Sequence, residues 1–129
     1  MGLITKELTI IGTKGRRRVT ALFDTGSTYT LIRESIASQI GEPMEMPEPK
    51  KFVTAVGDFR ADRYLGTDVV LGRKRLFASA IAAPGLTEDF IVGTDFMQVW
   101  HIRLDPKRHR IILDPKAFKL KAVGARHRP

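Results

Sequence analysis

The sequence predicts an all-β fold in a single compact domain, with one or two short helices. Three observations lead there. Apolar runs rich in Val, Ile, Leu, Phe and Thr recur at strand length, Gly- and Asp-containing turns separate them, and only two stretches show helical spacing. A chain of 129 residues suits one ordinary core and buries about two-thirds of the surface its unfolded form exposes. No repeat of period about 20 to 50 residues is present.

The elements follow in order. Residues 3–11 alternate loosely, 12–15 supply a turn, and 18–23 return as an apolar run, which makes a hairpin delivering Asp24. After Asp24-Thr25-Gly26-Ser27, residues 29–32 form a short strand, and 33–40 (RESIASQI) have helical spacing ended by Gly41. The stretch 41–51 (GEPMEMPEPKK) holds three prolines and is expected to be an extended, solvent-facing connector with no regular structure. A meander follows: FVTAV, a turn at Gly57-Asp58, FRADRYL, then TDVVL, a turn at 72–74, and RLFASAIA. Residues 83–86 break the sheet, 90–92 form a short strand, and TDFMQVW is a second helix with Thr94 as its N-cap. A hairpin of HIRL and IIL closes the domain at residue 114, and 115–129 form a basic C-terminal tail.

Composition removes several classes of function. The absence of cysteine excludes disulfides, thiolate metal sites and cysteine nucleophiles. His101, His109 and His127 lack the spacing of a metal site, so neither a metal nor a cofactor is expected. No apolar stretch approaches the roughly 18 residues of a membrane-spanning helix. The start, MGLITKELTI, shows no leader pattern and carries Lys6 where myristoylation requires Ser or Thr, which leads to the expectation of a cytoplasmic protein. The net charge of +8 raises a nucleic-acid partner. The basic residues, however, gather at 16–18, 73–75 and 107–110, each at a turn between strands, where solvated tips are the simpler explanation; they lack interleaved aromatics, so nucleic acid is not the expected partner.

The most informative stretch is ALFDTGSTYTLI at 21–32, an apolar run that ends in a carboxylate among small hydrogen-bonding residues. A turn accounts for those residue types, and so does an acid held at a strand end. A second piece decides between them: a later apolar strand ends in Ile91-Val92-Gly93 and leads into a short helix. The ordered set resembles the retropepsin-type aspartic proteases, whose pattern maps across residues 22–100. The resemblance implies a closed, barrel-like retropepsin fold over 1–114 and a homodimeric aspartic endopeptidase.

By the same resemblance, Asp24 is the catalytic aspartate, the hydroxyl of Thr25 locks the two active-site loops together, and Gly26 brings backbone close to the carboxylates. Ser27 is a supporting hydroxyl expected to donate to the charged pair. Ile91, Val92 and Gly93 pack beneath the loop. The hairpin 52–65 takes the place of the flap, which makes Ala55, Val56, Gly57, Asp58 and Phe59 substrate-binding candidates, and Ala82 and Leu86 border the pockets. Retroviral members usually carry Arg after the second glycine; this chain has Thr94 followed by Asp95, a departure that does not supply the Arg of the ion pair the resemblance implies for those dimers.

Hydrolysis by aspartates needs two carboxylates sharing one proton, since one takes a proton from water while the other donates to the carbonyl oxygen. The chain holds one Asp-Thr-Gly, so the implied second Asp24 comes from a second copy across a two-fold axis. Asp95 falls at a helix start, where a carboxylate stabilises the helix end. Asp58, Asp62 and Asp68 lie near turns and Glu34 on a helix surface, all expected to be solvated. Ser27 has no serine-hydrolase elbow around it. The competing function is a basic β-barrel module that binds nucleic acid or protein, with Asp-Thr-Gly-Ser as a mere turn; a third is the same fold kept for dimerisation alone.

Overall fold

The computed structural model describes residues 3–115. Among them the strands and helices run β1 (Leu3–Ile11), β2 (Arg16–Asp24), β3 (Thr30–Arg33), α1 (Glu34–Ile40), β4 (Met44–Thr54), β5 (Gly57–Leu71), β6 (Lys74–Ala83), β7 (Phe90–Val92), α2 (Thr94–Val99), β8 (Ile102–Asp105) and β9 (Arg110–Leu113). The strands β1-β2-β7-β3-β6-β5 are neighbours in that order, and β1 also pairs with β5 from Thr9↔Val70 to Ile11↔Asp68, which closes a six-stranded barrel. The basic tail at 116–129 lies outside the described residues.

Closure depends on the length of β5. One of its edges is divided, with Gly57 to Tyr64 opposite β4 and Asp68 to Val70 opposite β1. FRADRYL and TDVVL are thus one strand rather than two, whose first half forms an arm beyond the barrel and whose second half is a stave of it. Strand alternation then separates two apolar clusters. Phe23, Phe90, Ile10 and Val69 fill the barrel, while Leu31, Phe52, Ala61, Ile81, Ala83, Leu86 and Ile91 form a second cluster beneath the β4–β5 hairpin. Each fully buried Phe or Ile stabilises the fold by about 1.5–3 kcal/mol.

Several expectations need correction. Residues 44–51 are part of β4 and not an irregular connector, although they are extended and mostly exposed as expected. Pro47 and Pro49 are tolerated because pairing with β5 lapses between Glu45 and Lys50, where a missing N–H breaks no ladder bond. The hairpin turns at Ala55-Val56, two residues before the expected Gly57-Asp58, and Gly57 opens β5 with φ of 147°. Gly93, and not Thr94, is the N-cap of α2, which ends at Val99. His101 has a left-handed φ of 54°, so β8 starts one residue later than HIRL suggests. The basic clusters do sit at strand-joining tips, and several are paired there, Arg75 with Asp68 at 2.8 Å and Arg108 with Asp105 at 2.9 Å.

Candidate active site

The chain leaves β2 at Asp24 and re-enters the sheet as β3, two places away, because β7 runs between them, parallel to β2 and antiparallel to β3. The intervening loop 25–29 is therefore bridged from below by the strand that ends in Ile91-Val92, both fully buried. Gly93 follows where no side chain fits: a Cβ there would stand 2.4 Å from the Tyr29 carbonyl oxygen and 2.8 Å from that of Ser27. The close approach lets the start of α2 bind the loop directly. Thr94 N–H donates to the Ser27 carbonyl at 2.8 Å and Asp95 N–H to the Thr28 carbonyl at 3.0 Å, which gives two N–H groups of the helix start their acceptors.

Asp95 adds a second tie. Its Oδ1 accepts from the Thr30 hydroxyl at 2.8 Å and its Oδ2 from the Thr30 amide at 3.3 Å, while the same hydroxyl accepts from Gly93 N–H at 3.1 Å. The carboxylate does sit at the helix start as expected, accepting from Phe96 N–H at 2.6 Å, but it also fastens the helix to β3. Replacing Asp95 by Ala is expected to destabilise the chain by about 1.5–3 kcal/mol, the range for hydrogen bonds to a charged group, as read from the shift in its thermal unfolding.

Asp24 itself is fully buried. A buried carboxylate needs donors, and here both are backbone amides: Gly26 N–H at 2.7 Å to Oδ1 and Ala55 N–H, from the hairpin tip, at 2.9 Å to Oδ2. Gly26 has the expected closeness, since a Cβ on it would stand 3.1 Å from Oδ1. Thr25 is exposed and lines an open groove of about 570 Å³ with Thr94, Met97, Gln98 and His101.

Ser27 differs from expectation. Its hydroxyl donates to the Tyr29 carbonyl at 2.6 Å and so braces the loop; its one proton is not directed at Asp24. Ser27→Ala is accordingly expected to cost about 0.5–1.5 kcal/mol of stability while leaving the acidic limb of any pH–rate profile in place, a pairing that thermal unfolding and activity measurements check.

Among the substrate-binding candidates, Ala55 and Val56 form the exposed hairpin tip, Asp58 is solvated and pairs with Lys51 at 3.3 Å, and Phe59 and Leu86 join the cluster under the hairpin. Gly57 matters for its backbone. Ala82 is a correction: it points into the barrel with Ala78 and Ala80, whereas Ile81 and Ala83 on the other parity face the hairpin cluster. Sequence reasoning passed over Tyr29, which is half exposed and meets Phe52 edge to face at 5.2 Å, together with Leu31, Ile81, Thr30 and the tie from Asp95 to Thr30. The period-2 alternation of β3 and β6 was the available signal for Leu31 and Ile81.

Comparison with known proteins places this geometry in a family. The family model for aspartyl proteases matches residues 7–96, which include the Asp24 loop, β7 and the first residues of α2. The chain belongs to the aspartyl protease family. Its fold is also that of the retroviral protease-like domain of Ddi1 from Leishmania major, with a TM-score of 0.64 over 89% of this chain and 90% of that one, at 15% sequence identity. The retropepsin-like barrel is thus shared, and family membership supports a protease function in general and implies protein as the class of substrate. Among the described residues no helix is long and apolar enough to cross a membrane.

Proposed function

We propose that the chain is an aspartic endopeptidase whose site is completed by a second copy of itself. The observation that carries this reading is Asp24, one fully buried carboxylate at the end of β2, with both oxygens aligned by backbone amides and Thr25 exposed beside it. Asp95, the other aspartate near the loop, is engaged with Thr30, so the partner acid is the Asp24 of a second chain, brought face to face by a two-fold axis.

In that pair one carboxylate is protonated and one ionised. The ionised one takes a proton from a water molecule as its oxygen attacks the peptide carbonyl carbon, and the protonated one gives its proton to the carbonyl oxygen. Return of a proton to the amide nitrogen then breaks the C–N bond. The Gly26 amide keeps Oδ1 oriented throughout, Thr25 joins the two loops, and the half-exposed Tyr29 and partly buried Phe59 offer apolar surface for substrate side chains. The net charge of +8 favours one other reading, a basic module that binds nucleic acid without cleavage. Incubation with a peptide library separates the two. Pepstatin-sensitive cleavage supports the protease, and salt-sensitive binding to nucleic acid with no cleavage supports the module.

A further inference from the structure

Phe77 on β6 and Val99 at the end of α2 are 59% and 53% exposed, although both belong to regular elements. Leu76 and Ala78 point into the barrel, so strand alternation turns Phe77 outward. Trp100 joins the pair, its indole N–H donating to the Phe77 carbonyl at 3.0 Å. The Phe77 ring lies over Gly66 of β5, where a Cβ would stand 2.9 Å from it, so the ring is seated on the sheet. With Phe96 these side chains line a cavity of about 260 Å³ whose polar members are Ser79 and Asp95. A single exposed apolar residue needs no explanation, but several that adjoin on a fixed surface mark a contact.

The chain itself supplies an occupant. Leu113, the last residue of β9, stands opposite Ile102 and borders a groove with Leu71 and Gly72, so the segment after it sets out beside the patch. The five residues from Leu113 to Phe118 span up to about 17 Å, and Trp100 is only two residues from Ile102. Residues 116–123 read KAFKLKAV, with Phe118, Leu120 and Ala122 on one parity and Lys119 and Lys121 on the other. In an extended chain the two parities face opposite sides, one here apolar and one cationic. We propose that residues 116–123 lie extended across the Phe77–Val99–Trp100 patch, with Phe118 and Leu120 against it and the two lysines in water. Docked there, the segment clamps the C-terminal end of α2, the helix whose N-terminal end binds the Asp24 loop through Thr94 and Asp95. The clamp belongs to the fold and holds with or without the proposed protease activity.

Trp100 is the chain's one tryptophan, so its fluorescence reads the patch alone. The full-length double variant Phe118→Ser, Leu120→Ser is expected to show Trp100 emission shifted to longer wavelength, stronger quenching by acrylamide and a lower unfolding midpoint than the wild type, at every protein concentration. Unchanged emission and quenching would overturn the clamp. A difference that vanishes on dilution assigns the patch to a contact between copies and overturns it as well. Because the chain has no cysteine, introduced thiols supply a second readout, decided by parity. Val99→Cys is combined with Leu120→Cys in one protein and with Lys121→Cys in another, and the intramolecular disulfide is expected to form about tenfold faster in the first. Equal rates, the behaviour of a tail merely tethered nearby, overturn the proposal even where the serine variant fails to fold. Neither readout depends on peptide cleavage, so failure of the clamp and failure of the protease reading remain distinguishable.

Discussion

Asp24→Asn is expected to reduce peptide cleavage by about a thousandfold or more while leaving a cooperatively folded chain. The substitution removes the ionisable group from both halves of the proposed pair, so neither chain of a dimer can take a proton from water. The fold survives because an asparagine oxygen can still accept one of the two amides that now hold the carboxylate, Gly26 N–H or Ala55 N–H. The other amide then faces an NH₂ group, at a cost of about 1–3 kcal/mol. Loss of cleavage with a retained cooperative unfolding transition is the expected pairing. Undiminished cleavage by purified Asp24→Asn protein, free of contaminating protease, would leave the motif as a turn with no chemistry.

Gly93→Ala is expected to disturb the site most directly through its backbone. The added methyl group would lie 2.4 Å from the Tyr29 carbonyl oxygen, 2.5 Å from its carbon and 2.8 Å from the Ser27 carbonyl oxygen. All three atoms belong to backbone, so relief requires the loop to move away from the start of α2, and the bonds from Thr94 and Asp95 to that loop lengthen with it. Overpacking of this kind costs about 1–3 kcal/mol, and here the displaced segment follows Asp24, the proposed catalytic residue. A lowered unfolding midpoint together with an activity loss beyond that expected from the unfolded fraction is the predicted result. Wild-type stability in Gly93→Ala would show that the close approach does not hold the loop.

The parts of the site legible in the sequence were those whose cause is local. Asp24 and Gly26 lie in one tetrapeptide after an apolar strand, and Gly93 ends a second apolar run, so the family resemblance could single them out from short local motifs. The tie between Thr30 and Asp95 spans 65 residues, and no local pattern announces which strand a helix-start carboxylate will meet. The hairpin tip lies two residues before the glycine that a local turn pattern favours, because Gly57 takes its positive φ just beyond the turn, as the first residue of β5. Ala82 was misjudged through strand parity: in the small-residue run ASAIAA only the register with β3 and β5 fixes which side faces the barrel. The prolines of β4 argued against a strand, and only the lapse in pairing between Glu45 and Lys50 reconciles them with one.

The shared carboxylate pair is the central claim, and mixing chains tests it most directly. Wild-type protein is incubated with an excess of Asp24→Asn chains under conditions in which subunit exchange is verified independently, for example by mass spectrometry of isotope-labelled chains. Most wild-type chains then sit in mixed dimers holding one aspartate and one asparagine, and cleavage per wild-type chain is expected to fall steeply as the mutant excess grows. If exchange is complete and cleavage stays proportional to the amount of wild-type chain, each chain carries a complete site and the shared pair is wrong.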